Sequence, residues 1–122
     1  MIKFKSLNQS SQFLDILKKK RLHTKYFTIY FDKNSNNFKN NINKYLNISF
    51  VMKKKIGNSV IRNKIKRKLK SAVQKTINKR QDIDLNYTYV IFGKNNVYKD
   101  KFALIHNEVN EIFKKIKKMS SN

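Results

Sequence analysis

The residues with the clearest chemical potential lie in one segment, residues 53–80, which carries many cations and no anions. Twelve of its 28 residues are Lys or Arg, and none is Asp or Glu, although the chain has seven acids elsewhere. A solvated helix normally alternates its charges, because each opposite i, i+4 pair gains about 0.2–0.5 kcal/mol. Phosphates spaced along a nucleic-acid backbone would neutralise such a segment. The pattern therefore predicts a nucleic-acid-binding surface.

The few arginines of the chain concentrate in the same segment. Lysine supplies 25 of the 29 basic residues, and three of the four arginines are Arg62, Arg67 and Arg80. A planar guanidinium binds phosphate in bidentate fashion or stacks on a base, whereas an ammonium does neither. Arginine retained at Arg62 and Arg67, within a lysine-rich chain, favours a geometric role in binding.

The composition narrows the class of protein. A chain of 122 residues has the length of one domain, residues 1–122, and 39% hydrophobic residues favour a folded domain over a basic tail. The net charge of +22 points to a polyanion, although Lys and Asn also have AT-rich codons, so the position of the charge carries more weight than its total. The absence of cysteine excludes disulfides and thiolate zinc sites. With no apolar run near 18 residues, we expect a cytoplasmic protein.

Hydrophobic periodicity predicts the elements that must position this segment. An aromatic strand over 26–31 would alternate between a core face and a wetter face, and the Asn-rich stretch 34–44 and residues 82–86 and 94–99 are predicted connectors. The order of the predicted elements, helix, strand, strand, helix, strand, helix, indicates an α+β fold, an α-β sandwich with one crossover helix on a mixed sheet. The predicted elements are helices over 10–20, 58–80 and 102–116 and strands over 26–31, 45–52 and 87–93. The core face of the first strand comprises Phe27, Ile29 and Phe31, and the wetter face Tyr26, Thr28 and Tyr30.

The helix over 58–80 has a predicted start and a predicted buried face. Gly57 allows the chain to turn out of the preceding strand, and Asn58 is a favourable N-cap. At 100° per residue, one set of side chains falls within an arc of about 120° that would cover the sheet. The basic side chains occupy the rest of the circumference. The arc comprises Ile61, Ile65, Leu69, Ala72, Val73 and Thr76.

The histidines, the remaining acids and the glycines give little indication of a metal, catalytic or phosphate-binding site. His23 and His106 have no metal-spaced neighbours and are expected to be surface or half-buried histidines, while Asp82 and Asp84 are typical of a turn. Gly57 and Gly93 do not form a phosphate-binding loop. We therefore predict no catalytic residue and no metal site in the chain itself.

The segment from Lys53 to Lys70, K-K-K-I-G-N-S-V-I-R-N-K-I-K-R-K-L-K, closely resembles the signature of the bacterial ribonuclease P protein component. Two positions depart from that pattern, because Lys64 and Lys70 stand where the family usually or often has Arg. Charge is kept at both positions, but bidentate geometry is lost. The matching residues are Lys54, Lys55, Gly57, Asn58, Arg62, Asn63, Lys66 and Arg67.

The resemblance implies a fold of order α-β-β-(β)-α-β-α with a left-handed crossover, contrary to the usual hand. It also implies a protein subunit that binds the catalytic RNA of ribonuclease P and the 5′ leader of precursor tRNA, while the RNA holds Mg²⁺ and performs the hydrolysis. No protein oligomer is implied. The residues expected to bind RNA are Lys54, Lys55, Asn58, Arg62, Asn63, Lys64, Lys66, Arg67, Lys68 and Lys70. Those expected to contact the leader, by stacking of their rings, are Phe13, Tyr30 and Phe27.

Two alternatives remain open from the residues. A ribosomal or chaperone-like RNA-binding protein with no processing role would bind through charge alone. A peripheral membrane protein would use the basic amphipathic helix, but it would then expose the apolar stripe that the sheet needs as a cover. An aromatic residue on a helix or strand is also commonly a core residue, which weakens the leader assignments.

Overall fold

The computed structural model describes residues 2–7, 10–33, 45–80 and 83–120. The predicted connector over 34–44 and the start of the predicted turn at Asp82 lie outside these ranges. Five strands, four helices and a 3₁₀ turn at Lys54–Ile56 are present in the described part of the chain. In chain order the strands and helices are β1 (Lys3–Lys5), α1 (Ser10–Ile16), β2 (Lys20–His23), β3 (Phe27–Lys33), β4 (Tyr45–Val51), α2 (Ser59–Arg80), β5 (Tyr87–Gly93), α3 (Asn96–Lys99) and α4 (Phe102–Ser120).

The strands form one mixed sheet in the order β1-β4-β5-β3-β2. β1 and β5 each run parallel to β4, whereas β3 runs antiparallel to both β5 and β2. Because β4 and β5 are parallel neighbours and α2 connects them, α2 is the predicted crossover helix. The α+β class and the mixed sheet are confirmed, and the left-handed crossover stays a prediction.

Three short elements were not predicted from local patterns, although the order implied by the resemblance allows one further strand before α2. β1 spans three residues and pairs with β4, which follows some 40 positions later, so no local pattern identifies it. The first helix ends at Ile16 rather than at Lys20, because Lys20–His23 pairs with Thr28–Phe31 as an edge strand. Its lysine and arginine are typical of a solvated sheet edge. α3 lies within the predicted connector over 94–99.

One face of the sheet carries the core. The predicted inner residues of β3 are all at most 1% exposed, and α2 and α4 pack over them. The predicted stripe of α2 is confirmed from Ile65 onward, and it continues to Ile77, whereas Ile61 is half-buried. Together these side chains form one hydrophobic cluster between the sheet and the two long helices.

The prediction for Tyr26 was wrong. Tyr26 precedes β3 and is only 3% exposed, rather than standing on a wetter strand face. Its hydroxyl donates a 2.6 Å hydrogen bond to the Asp100 carboxylate. That hydrogen bond, with burial and the negative charge of Asp100, raises the pKa of Tyr26 to about 12. Thr28 and Tyr30 do lie on the second sheet face, where α1 packs, but Thr28 is buried and Tyr30 is half-buried, so this face is less exposed than predicted.

The start of α2 is formed as the sequence predicts. Gly57 has φ +156°, and a Cβ at this position would lie 3.2 Å from Cδ1 of Ile61, so both conformation and space favour glycine. The side-chain oxygen of Asn58 accepts a 3.0 Å hydrogen bond from the Ile61 N–H and caps the helix. This turn fixes the direction in which α2 leaves β4.

Gly93 marks a close approach of α2 to the sheet. A Cβ at this position would lie 2.6 Å from Sδ of Met52, whose side chain can shift, and 3.0 Å from both Cγ2 of Ile65 and Cδ1 of Leu69 on α2. We expect Gly93→Ala to lower the free energy of unfolding by about 1–3 kcal/mol, because the added methyl group forces α2 outward. Urea denaturation measures this change. Ser71→Ala, on the exposed side of α2, is the control, and an equal midpoint for both variants would contradict the close packing.

Candidate nucleic-acid interface

The side of α2 that faces away from the sheet is cationic and lacks carboxylate partners. Asn63, Lys66, Arg67 and Lys70 are all exposed. Within the described ranges, no carboxylate forms a salt bridge with any of these cations or with Arg62. The positive charge of these side chains is therefore not offset by a carboxylate, and a polyanion could neutralise it without breaking an internal ion pair.

Arg62 differs from Arg67 in its surroundings. Its side chain is half-buried, and its Nε is buried without a hydrogen-bond partner. An unpaired buried donor costs about 1–3 kcal/mol. Arg62 therefore fits a contact that is completed only in a complex.

Lys68 has a structural role, which competes with its predicted contact with RNA. Its Nζ donates hydrogen bonds to the carbonyl oxygens of Val97, Tyr98 and Asp100, at 3.0, 3.2 and 2.8 Å. An ammonium has three donors, so all of them are occupied. These carbonyls lie at the end of α3, where a cation is favourable. Lys68 thus joins α2 to α3.

Asn58 also has a structural role, in addition to its predicted contact with RNA. Its side-chain oxygen caps α2, so only its NH₂ group remains for a ligand. Lys54 and Lys55 are exposed on the 3₁₀ turn just before this cap. Lys64 is exposed on α2, and its Nζ lies 4.8 Å from the ring centroid of Tyr98.

A cluster of aromatic rings occupies the second face of the sheet. Phe92 lies at its centre, 6.3 Å from the ring of Phe13 and 5.5 Å from the ring of Tyr30. All three side chains are half-buried, and Nζ of Lys53 lies 5.6 Å from the Phe92 ring. The structure thus brings Phe13 and Tyr30 together through Phe92, which was not a predicted site residue. Only the register of β3 against β5 reveals the position of Phe92.

Phe27 does not belong to this cluster, and its predicted contact with the leader is corrected. It is 0% exposed and packs in the core on the opposite face of the sheet. The reason is the alternation of β3, which places Phe27 with Ile29 and Phe31 and points Tyr30 the other way.

A cleft of about 300 Å³ connects the aromatic cluster with α2. It opens beyond the end of β1, where the edge of β4 is no longer paired. The Leu7 N–H donates a 3.0 Å hydrogen bond to Oγ of Ser49, which holds the segment after β1 against β4. The cleft combines one ring of the cluster with two cations of α2. Its lining residues are Phe4, Ser6, Leu7, Phe13, Ile48, Ser49, Phe50, Lys66 and Lys70.

The titratable side chains outside this region form no obvious metal site. Across the described residues, no group of three or more His, Asp or Glu side chains is placed to hold a metal ion. Nδ1 of His23 lies 2.9 Å from Oγ1 of Thr28, within a hydrogen bond. No helix in the part of the chain that the structure describes is long and apolar enough to cross a membrane.

Comparisons with known proteins agree on one family. The family model of ribonuclease P matches residues 1–117. The ribonuclease P protein component of Mycoplasma mycoides is 30% identical over 112 residues, covering 91% of this chain and 94% of the relative. The corresponding protein of Mesoplasma florum is 28% identical over 109 residues, covering 88% and 91%.

Solved structures agree with the fold. The ribonuclease P protein of Thermotoga maritima superimposes with a TM-score of 0.68 at 22% identity, covering 91% of this chain and 96% of that one. The protein of Staphylococcus aureus gives a TM-score of 0.67 at 21% identity, covering 92% and 94%. The sequence match along nearly the whole chain, together with this fold and its cationic crossover helix, shows that the chain belongs to the family of ribonuclease P protein components.

Proposed function

We propose that this chain binds the catalytic RNA of ribonuclease P through α2 and the 5′ leader of precursor tRNA in the cleft and on the aromatic cluster beside it. The observation that carries the proposal is the juxtaposition of the two surfaces, because Lys66 and Lys70 belong to the cationic side of α2 and also line the cleft with Phe13. The catalytic RNA bound on α2 and the leader bound in the cleft would therefore lie next to each other.

The contact with the catalytic RNA depends mainly on phosphates. Exposed lysines and arginines displace the counterions condensed on a phosphate backbone. The affinity that results falls steeply as the salt concentration rises. Arg67 adds bidentate geometry, and Arg62 offers an unpaired donor. Lys54 and Lys55 extend the surface before α2, and Lys64 extends it on the flank of α2 that faces α3.

The contact with the leader depends on stacking. Phe13, Tyr30 and Phe92 form a half-buried aromatic surface, with Lys53 beside it to neutralise phosphate. Base stacking on aromatic rings tolerates any sequence, since every base has a π-face. This suits a leader that differs from one precursor tRNA to another. A general RNA-binding protein that uses charge alone would have no need of this surface.

In this proposal the protein supplies binding and orientation, and Mg²⁺ held by the catalytic RNA supplies the chemistry of hydrolysis. The protein's cations lower the repulsion between two RNA chains, so that precursor tRNA and catalytic RNA approach each other at a lower Mg²⁺ concentration. The same proposal places the protein in the cytoplasm with its RNA partners.

The proposal is tested by reconstitution. At low Mg²⁺, we expect the protein to stimulate leader removal when it is mixed with its cognate catalytic RNA and precursor tRNA, because it replaces part of the charge neutralisation that Mg²⁺ otherwise provides. Cleavage is followed on gels, with an equally charged basic peptide as the control. Stimulation no greater than that of the peptide would favour a general RNA-binding protein.

The RNA-binding side of α2 gives a second prediction. We expect Arg67→Ala and Arg62→Ala each to keep the fold and to weaken binding of the catalytic RNA, since each variant loses a phosphate contact. The plot of log affinity against log salt should become shallower by about one unit per lost contact. Lys114→Ala, on the exposed side of α4, is the matched control, and an unchanged slope in both arginine variants would contradict the assignment.

The aromatic cluster beside the cleft gives a third prediction. We expect Tyr30→Ala to weaken binding of precursor tRNA by about fivefold or more while leaving mature tRNA unaffected, because only the precursor has a leader to stack. Binding to the assembled holoenzyme measures both. Tyr30→Phe keeps the ring and should keep the preference, and Tyr45→Ala, at an exposed tyrosine of β4, is the control. Equal losses for both tRNAs would remove Tyr30 from the leader site.

A further inference from the structure

The short helix α3 is held firmly against its neighbours. Lys68 of α2 binds three carbonyl oxygens at its end, as described above. From the other side, the Tyr26 hydroxyl binds Asp100, and Nδ2 of Asn96 donates a 2.8 Å hydrogen bond to the carbonyl of Lys25. Val97 is fully buried. A helix of four residues is thus fixed in place by side chains of other elements.

This fixed helix presents Tyr98 beside the cationic surface of α2. The Tyr98 ring is half-buried, and Nζ of the exposed Lys64 lies 4.8 Å from its centroid. Of these two side chains only the Tyr98 ring can stack on a base, because an ammonium has no flat surface. Lys64 is long and exposed, and it can swing from the ring to a phosphate.

The pair lies on a different flank of α2 from the cleft. Lys64, Lys68 and Lys75 contact residues of α3 and α4, namely Tyr98, the end of α3 and Phe102. Lys66 and Lys70 line the cleft with residues of β1 and β4. A leader bound in the cleft would therefore be separated from Tyr98 by the width of α2.

We propose that Tyr98 and Lys64 form a second stacking site, which binds an unpaired base of the catalytic RNA. Resting on the proposed function, this inference extends the RNA-binding surface from α2 onto α3. On binding, Lys64 moves to a phosphate and a base takes its place on the Tyr98 ring. The exchange is favourable, because an exposed cation–π contact is weaker than the stacking of a base on an aromatic ring.

The chain offers a direct test, because it contains no tryptophan. Tyr98→Trp places a single indole in the proposed site, and titration with the catalytic RNA should quench its fluorescence when a base stacks on it. Tyr45→Trp is the matched control, since Tyr45 is an exposed tyrosine that likewise has a lysine beside its ring, with Nζ of Lys5 6.0 Å from the centroid. Quenching at position 98 alone supports the site, whereas no quenching at 98, or equal quenching at both positions, overturns it.

Affinity gives an independent measurement. Tyr98→Leu should weaken binding of the catalytic RNA by about fivefold or more, Tyr98→Phe should keep it, and the preference for precursor over mature tRNA should not change in either. Circular dichroism establishes that the variants are folded, and if Tyr98→Leu is not, the fluorescence result decides.

The two proposals fail in different ways. If Arg67→Ala weakens binding and Tyr98→Leu does not, the stacking site is wrong and the proposed function stands. If the unaltered protein binds its catalytic RNA no better than an unrelated RNA of equal length, the proposed function is wrong.

Discussion

The contact of α2 with the sheet is the constraint on which the rest of the structure depends. Ile65 and Leu69 come so close to β5 that a Cβ at position 93 would lie 3.0 Å from a side-chain carbon of each. This contact sets the rotation of the helix about its axis, and the rotation decides which cations face outward. Because the buried stripe and the cations alternate along the same 22 residues, packing the helix is also what arranges its charges.

That rotation divides the cations of α2 among three tasks. Those opposite the sheet, such as Arg67, face solvent; Lys66 and Lys70 reach the cleft; and Lys68 turns inward to the end of α3. The like charges repel one another, and within the described residues no carboxylate on α2 relieves the repulsion. A net charge of +22 therefore limits the stability of the isolated protein and favours its complex with a polyanion.

Sequence patterns predicted the parts of the fold that follow local rules. The buried stripe of α2, its Asn58 cap and the inner face of β3 each depend on periodicity or on a neighbouring residue, and each was found. β1 depends on pairing with the distant β4, and β2 is a short edge strand of mostly exposed polar residues, so local hydrophobic patterns showed neither. The same limit applies to the site. Lys68 looks like any other exposed lysine until the position of α3 is known, and Phe92 joins Phe13 and Tyr30 only through the sheet register.

The first strand has a practical consequence. β1 covers only the first part of β4, and the residues that follow it, Ser6 and Leu7, form one wall of the cleft with Phe4. A sequence change or tag that unpairs β1 from β4 would therefore displace this wall and change the shape of the cleft.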